Sequence, residues 1–159
     1  MLAAGAATRF GSPKQRLLLP VVLDRVRASS VDDVVVVVGA HEVETDAPVV
    51  RCDEWELGIG ASLRCGLRAL PADAEAAVVV LADGPRLAPE AVDRVIALWR
   101  KTGEEVVAAT YDGVRLHPVL LARSAWDRVP DEGARDLSAH LVACDDLGAP
   151  GDVDRLEDL

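Results

Sequence analysis

The 159-residue sequence has few aromatic residues and no long apolar run. Aromatic residues make up only 3% of the chain, whereas half of all residues are hydrophobic, so a core must be built mainly from Val, Leu and Ala. No stretch approaches the ~20 apolar residues that a membrane-spanning helix needs. The start has no basic segment, so we do not expect a signal peptide. These absences favour one globular domain, residues 1–159, in the cytoplasm.

The cysteines are also few. Cys52, Cys65 and Cys144 are scattered and form no CxxC pair. Zinc sites and small disulfide scaffolds are recognised by paired or evenly numbered cysteines at short spacings. We therefore expect neither a zinc site nor a disulfide framework. Each cysteine is expected to be a small buried hydrophobic residue in a reducing compartment.

Positively charged residues are outnumbered by acidic ones. The sequence has 17 Lys and Arg residues and 27 Asp and Glu residues, which gives a net charge of −10. An acidic surface repels nucleic acid and anionic membranes, so neither is an expected partner. A phosphate-bearing ligand would have to be held by local cations or by a metal ion against this overall field.

Short apolar runs alternate with amphipathic segments, which is typical of an α/β fold with a mainly parallel sheet. Such runs suit strands that are buried on both faces. The predicted strands are 34–38, 77–82, 106–111 and 118–121, and the predicted helices are 21–28, 61–70 and 89–101. Ligands of such sheets bind beyond the carboxyl ends of the strands, where we expect the functional residues.

The first loop lacks both common phosphate-binding motifs, GxxxxGK[ST] and GxGxxG. It has instead a run of small residues, 3–7, that includes Gly5, followed by the cations Arg9 and Lys14. Small residues let backbone N–H groups approach a bulky anion, and the cations would neutralise it. We interpret the stretch as a nucleotide-binding loop after a first strand. The alternative is a flexible loop with two solvated cations.

Three carboxylates are candidate metal ligands. Asp83 follows the apolar run 77–82, and Asp152 and Asp154 alternate on one side of a terminal extended segment. Carboxylate oxygens suit Mg²⁺, which also bridges phosphates. The alternatives are a turn or capping role for Asp83 and a plain acidic tail for the other two.

A glycine-rich loop feeds the second predicted helix. Gly58 and Ser62 lie near its start, where a hydroxyl and unpaired N–H groups can hold a phosphate or a base edge. The alternative is that Ser62 simply caps the helix.

Several of these segments together resemble the MobA/MocA-like nucleotidyltransferases. Leu2-Ala-Ala-Gly5 and Arg9-Phe-Gly-Ser-Pro-Lys14 are similar to the family signature LAAGxSxRFGxPK. Further similar segments are 39–41, 55–67, 81–85, 111–119, 133–135 and 151–159. The resemblance implies a Rossmann-like three-layer fold of the nucleotide-diphospho-sugar transferase type. Members begin several residues before this loop, so we expect a longer chain than the printed one.

The resemblance also implies roles for individual residues. Lys14 and Arg9 would stabilise charge on the α-phosphate and the leaving pyrophosphate, and Asp83 would act with them in catalysis. Asp83 and Asp154, with Asp152 second, would hold Mg²⁺. His117 and Arg135 would contact the second substrate. The nucleotide would be seated by Leu2, Ala3, Ala4, Gly5, Lys14, Gly58 and Ser62.

The implied reaction is attack of an acceptor phosphate on the α-phosphorus of a nucleoside triphosphate, with release of pyrophosphate. Ala4 and the loop from Gly58 to Ser62 resemble the cytidylyl branch, which favours CTP as donor and molybdopterin as acceptor. One alternative is another acceptor, such as a sugar or alcohol phosphate. Another is a non-catalytic cofactor-binding maturation factor for a molybdoenzyme, because Gly84, Leu116 and 155–156 depart from the family pattern.

Overall fold

The computed structural model describes residues 1–5 and 15–153. Within these ranges the chain forms seven strands and three α-helices, with short 3-10 turns between them. The strands are β1 Leu2–Ala3, β2 Val36–Val38, β3 Val49–Arg51, β4 Ala76–Val79, β5 Val106–Tyr111, β6 Val114–Ala122 and β7 His140–Ala143. The helices are α1 Gln15–Arg27, α2 Ile59–Arg68 and α3 Pro89–Thr102.

The strands form two hydrogen-bonded groups, β1-β2-β3 and β4-β6-β5-β7. Leu2 joins them, because its N–H donates to Val80 (2.8 Å) and its carbonyl accepts from Ala82 (3.0 Å). This link is a parallel bridge between Leu2 and Leu81. The resulting order is β3-β2-β1-β4-β6-β5-β7, in which only β6 runs antiparallel to its neighbours. The expectation of an α/β fold with a mainly parallel sheet is therefore confirmed.

Helices cover both faces of the sheet, as the period-2 alternation of strand side chains requires. In β2, Val37 packs on the face covered by α2, whereas Val36 and Val38 pack with α1 on the other face. In β5, Val107 likewise faces α3. The layers are thus helix, sheet and helix, and the core consists mostly of aliphatic residues, as the composition predicts.

The long periodic elements match the predictions closely, and the short ones do not. Strand β5 and helix α3 follow the predicted bounds to within one residue. Helix α1 begins at Gln15 rather than near residue 21, because Leu18 and Leu19 continue the buried stripe through Pro20. Strands β3 and β7 escaped prediction, since both are short edge strands whose residues are mostly exposed.

The expectation of no disulfide is wrong. Cys52, directly after β3, is bonded to Cys65 in α2, with 5.8 Å between their Cα atoms. The sequence pattern missed the pair because the fold, not a short spacing, brings the two buried sulfurs together. Cys144 is a buried free thiol, as expected.

Among the described residues, no helix is both long enough and apolar enough to span a membrane.

Replacing both Cys52 and Cys65 by Ser is expected to lower the free energy of unfolding in non-reducing buffer. The disulfide closes a loop with a sequence separation of 13 residues, for which the chain-entropy effect is about 3 kcal/mol. Urea unfolding of the variant and of the wild type measures the difference. Wild-type protein in reducing buffer should unfold like the variant, and a shift that ignores reductant would contradict the assigned pair.

Candidate functional site

The carboxyl ends of β1, β2 and β4 meet at one edge of the sheet. Leu2 pairs in parallel with both Val37 and Leu81, and the Ala40 N–H still donates to the Ala4 carbonyl (3.4 Å) beyond the strand ends. Gly5 and Asp83, which follow β1 and β4, therefore lie along the same edge. This is the edge where ligands bind in sheets of this kind.

The small residues before Gly5 are part of the core. Leu2, Ala3 and Ala4 are buried, whereas Gly5 is exposed. The first three can therefore shape the site through their backbone, and Gly5 is the described loop residue that reaches the surface. Arg9, Lys14 and Asp154 lie outside the described residues.

The end of the described chain returns to this edge. The Arg86 N–H donates to the Pro150 carbonyl (2.9 Å), and the Val153 N–H donates to the Asp83 carbonyl (3.2 Å). The buried Val153 side chain packs against Leu18 near the start of α1. Asp152 is exposed beside this contact. The fold thus brings Asp83, Asp152 and the first turn of α1 together, although they are far apart in sequence.

A bulge in β6 delivers a histidine to the same place. Ala108 pairs with Val119 but Thr110 pairs with Arg115, so β6 carries two extra residues in the segment between them. Bulges of this kind re-aim side chains beside functional sites. His117 lies in the bulge and precedes Pro118 through a cis peptide bond.

The His117 imidazole packs tightly against Gly84, next to Asp83. A Cβ atom on Gly84 would lie 2.7 Å from Nε2 of His117, so no larger residue fits without movement. Nδ1 of His117 is buried and has no hydrogen-bond partner among the described residues. Burial lowers the pKa of His117 from 6.5 to about 4, although the nearby Asp83 carboxylate opposes the shift. His117 is therefore neutral at pH 7.

The tight contact explains Gly84, which stands out in the sequence as a departure from the family pattern. In this chain the imidazole occupies the space that a side chain at position 84 would take. Leu116, the other departure nearby, is 38% exposed.

The start of α2 is held against another loop of the chain. Gly58 is the N-cap residue, and the Gly60 N–H donates to the Asp131 carbonyl (2.9 Å). Arg64 donates to the Val129 carbonyl (2.8 Å) and pairs with Asp131. The glycines are thus needed for close backbone packing. The predicted contact of Gly58 with the nucleotide stays a prediction.

Ser62 is buried in the fourth position of α2, so the alternative that it caps the helix is wrong. Its predicted role in nucleotide binding stays a prediction.

The loop 129–137 ends in a short 3-10 turn, Ala134–Asp136. Arg135 lies exposed in this turn. Arg115 of β6 holds the turn, because its guanidinium donates to the carbonyls of Leu137 (2.7 Å) and Ala134 (2.9 Å). Sequence patterns gave no reason to select Arg115, since its two acceptors are backbone atoms of a distant segment.

The donors at this edge suit a hard divalent cation. Asp83 and Asp152 supply carboxylate oxygens, which Mg²⁺ and Mn²⁺ prefer. Among residues 1–5 and 15–153, however, no three acidic, histidine or cysteine side chains cluster as a complete metal site. A full ligand set would therefore need a further donor.

Comparison with known families agrees with this geometry. Residues 1–144 match the MobA-like NTP transferase domain. The chain belongs to this family. It therefore carries a nucleotidyltransferase domain, and the family resemblance seen in the sequence is confirmed. The matched region includes Asp83 and His117 and ends before Asp152.

Solved structures show the same fold as this MobA-like domain. A homologue of Mycobacterium tuberculosis Rv0371c from Mycobacterium sp. strain JC1 is 26% identical, with a TM-score of 0.81 over 99% of this chain and 90% of that chain. Rv0371c from M. tuberculosis H37Rv in complex with manganese is 25% identical, with a TM-score of 0.74 over 99% of this chain and 92% of that chain.

A curated relative is the bifunctional protein GlmU of Sorangium cellulosum, which is 27% identical over 128 residues. The match takes in 68% of this chain but only 27% of that protein. The MobA-like domain therefore corresponds to a part of this relative.

The lowered pKa of His117 predicts a pH-dependent stability. Between pH 6.5 and about 4 the unfolded chain binds more protons than the folded chain at this residue, so the free energy of unfolding falls as the pH falls. His117→Gln should remove up to about 1.4 kcal/mol per pH unit of this dependence. Urea unfolding at several pH values in metal-free buffer measures it. His140→Gln, which changes an exposed histidine, is the control. Equal slopes in wild type and H117Q would refute the assignment.

Gly84→Ala should destabilise the domain, because the new methyl group would overlap Nε2 of His117 and crowd Pro150. Overpacking of this kind costs about 1–3 kcal/mol. The cost should shrink by about 1 kcal/mol or more in a His117→Ala background, where the overlapping ring is absent. Unfolding free energies of the four proteins in this double-mutant cycle give the coupling. Strict additivity would show that His117 does not limit position 84.

Proposed function

We propose that the chain transfers a nucleoside monophosphate from a nucleoside triphosphate to a phosphorylated acceptor, with CTP as donor and molybdopterin as acceptor. The observation that carries the proposal is the contact of the 150–153 segment with Asp83 beside Gly5 at the ends of the parallel strands. A triphosphate bound there would meet backbone N–H groups on one side and carboxylates on the other. The proposal treats residues 1–159 as one cytoplasmic domain that could pass its product to a molybdoenzyme.

In this proposal Asp83 and Asp154 hold Mg²⁺, with Asp152 as a further ligand. When bound, the ion would neutralise phosphate charge and make the α-phosphorus a better electrophile. Support comes from the bond between the Val153 N–H and the Asp83 carbonyl, because Asp152 directly precedes Val153 in the chain and Asp154 directly follows it in the sequence. The manganese complex of the mycobacterial relative is consistent with a divalent ion in this fold.

Lys14 and Arg9 are proposed to stabilise charge on the α-phosphate and on the leaving pyrophosphate. Lys14 directly precedes α1 and is four residues from Leu18, which packs on Val153 at the site. Short separation in sequence therefore favours a cation near the proposed metal. Positioning and charge neutralisation are what phosphoryl-type transfer chiefly requires.

His117 is proposed to orient the substrate rather than to remove a proton. Its low pKa keeps the imidazole neutral, so it is a poor proton acceptor at pH 7. The attacking acceptor phosphate is already anionic and needs no strong base.

Gly58, Ser62 and the backbone of residues 2–5 are proposed to seat the nucleotide. The preference for CTP rests on Ala4 and on the loop from Gly58 to Ser62. The second candidate function is transfer to a sugar or alcohol phosphate. The third is cofactor binding without turnover, which the departures at Gly84 and Leu116 favour.

Pyrophosphate release from CTP, GTP, ATP and UTP with magnesium, with and without molybdopterin, separates these functions. Release only with CTP and molybdopterin supports the proposal. Release that needs a different phosphorylated acceptor supports the second function. Molybdopterin binding without release from any triphosphate supports the third. A thermal-shift screen of the same nucleotides shows which one binds the folded state.

Asp83→Asn and Lys14→Ala should each reduce turnover by on the order of 10²-fold or more, because the first weakens the proposed hold on Mg²⁺ and the second removes a positive charge from the reacting phosphates. Steady-state pyrophosphate release measures the loss, and circular dichroism checks that the fold is intact. Asp73→Asn is the matched control, since Asp73 is exposed just before β4, at the opposite edge of the sheet. Near-normal turnover in either variant would remove that residue from the proposed machinery.

A further inference from the structure

We propose that Arg115 is a positioning residue that fixes the turn 134–137 so that Arg135 meets the anionic group of the acceptor. The inference rests on the proposed function and goes further, because it assigns the recognition of the acceptor to a particular turn and to the side chain that supports it.

Arg115 holds the turn 134–137 through two hydrogen bonds to its backbone. Nη1 donates to the Leu137 carbonyl and Nη2 to the Ala134 carbonyl, at 2.7 and 2.9 Å. The two acceptors are the ends of the turn, which is closed by the Leu137 N–H bond to the Ala134 carbonyl (3.1 Å). Arg135 lies between them, so its Cα can move little while both hydrogen bonds hold.

The other end of the loop is anchored to the proposed nucleotide-binding segment. Gly60 and Arg64 of α2 bond to residues 129–131, and a Cβ atom on Gly133 would lie 2.6 Å from the Ile59 side chain. The loop therefore spans the distance from the start of α2 to β6, where Arg115 is two residues before His117. A loop tied to both elements is well placed to respond to both substrates.

Burying part of the Arg115 guanidinium costs more free energy than a purely structural contact would require. Nε of Arg115 is buried and has no hydrogen-bond partner among the described residues. Burial lowers the pKa of Arg115, and the charge of nearby Asp136 offsets this only in part. Buried polar atoms without partners are rare in folded proteins and call for an explanation. The explanation we infer is that the turn 134–137 has to be held firmly in one place.

Arg135 is the only cation in the sequence from 129 to 137. It is exposed and forms no ion pair with any described residue. Two acidic residues of the loop are already compensated, because Asp131 pairs with Arg64 and Asp136 interacts with Arg115. A guanidinium in this setting suits a phosphate, which it can bind in bidentate fashion.

The first test uses inorganic phosphate as the probe. Phenylglyoxal modification of Arg135, followed by mass spectrometry, should be slowed by phosphate in the wild type. Arg115→Lys keeps the charge but has one nitrogen in place of the planar fork whose two nitrogens reach the two carbonyls separately, so it should need about tenfold more phosphate for the same protection. Arg123→Lys is the matched control, because Arg123 also donates to two carbonyls, those of Pro71 and Ala74. Absence of protection in the wild type would overturn the inference.

The second test measures pyrophosphate release with CTP and molybdopterin. Arg115→Lys should raise the KM for molybdopterin about tenfold while the KM for CTP and kcat change less than about twofold. Equal losses in all three parameters would mean that Arg115 is merely structural and would overturn the inference. If wild-type protein releases no pyrophosphate with any acceptor, the proposed function fails, and the protection experiment alone decides the role of Arg115.

Discussion

Two hydrogen bonds of one residue hold the architecture together. Leu2 donates to Val80 and accepts from Ala82, and thereby joins the sheet of β1-β2-β3 to the sheet of β4-β6-β5-β7. Without this link Gly5 and Asp83 would belong to separate sheets. With it, the ends of β1 and β4 are adjacent, and the site is a consequence of strand direction. The side chain of Leu2 is buried, so packing protects the bonds from water.

The site is also where the chain accepts unfavourable local arrangements. His117 lies in a bulge, and its Nδ1 is buried without a hydrogen-bond partner among the described residues. The His117 ring also occupies the space that a side chain at position 84 would need, so this position requires glycine. By contrast, β2 and the first four residues of β5 are buried and aliphatic. Departures from regular packing that gather at one edge are typical of a functional site rather than of a core.

The sequence was most informative where one physical signal dominates. Strand β5 is a run buried on both faces and α3 has a proline start and a clear apolar stripe, so both were predicted well. Contacts between distant segments are not encoded by any local pattern. The sequence therefore did not indicate the antiparallel direction of β6, the Cys52–Cys65 disulfide or the hydrogen bonds of Arg115 to the turn 134–137. Asp83 could be selected because it follows a buried strand. The burial of His117 could not, because it depends on Gly84 and on the bulge.

The net charge of −10 sets the remaining constraint on how an anionic substrate could bind. Most arginines for which the structure gives a contact are engaged with carbonyls or carboxylates, as Arg64, Arg94 and Arg128 are with acidic partners. Such pairs contribute to structure and leave little charge for a ligand. An overall negative field then acts against unneutralised phosphates at every point of approach. Binding of a triphosphate thus has to rely on a few cations placed at the site and on a metal ion. A cation on a backbone segment that is already fixed loses less freedom when an anion binds, so the anchoring of the turn 134–137 by Arg115 bears directly on this requirement.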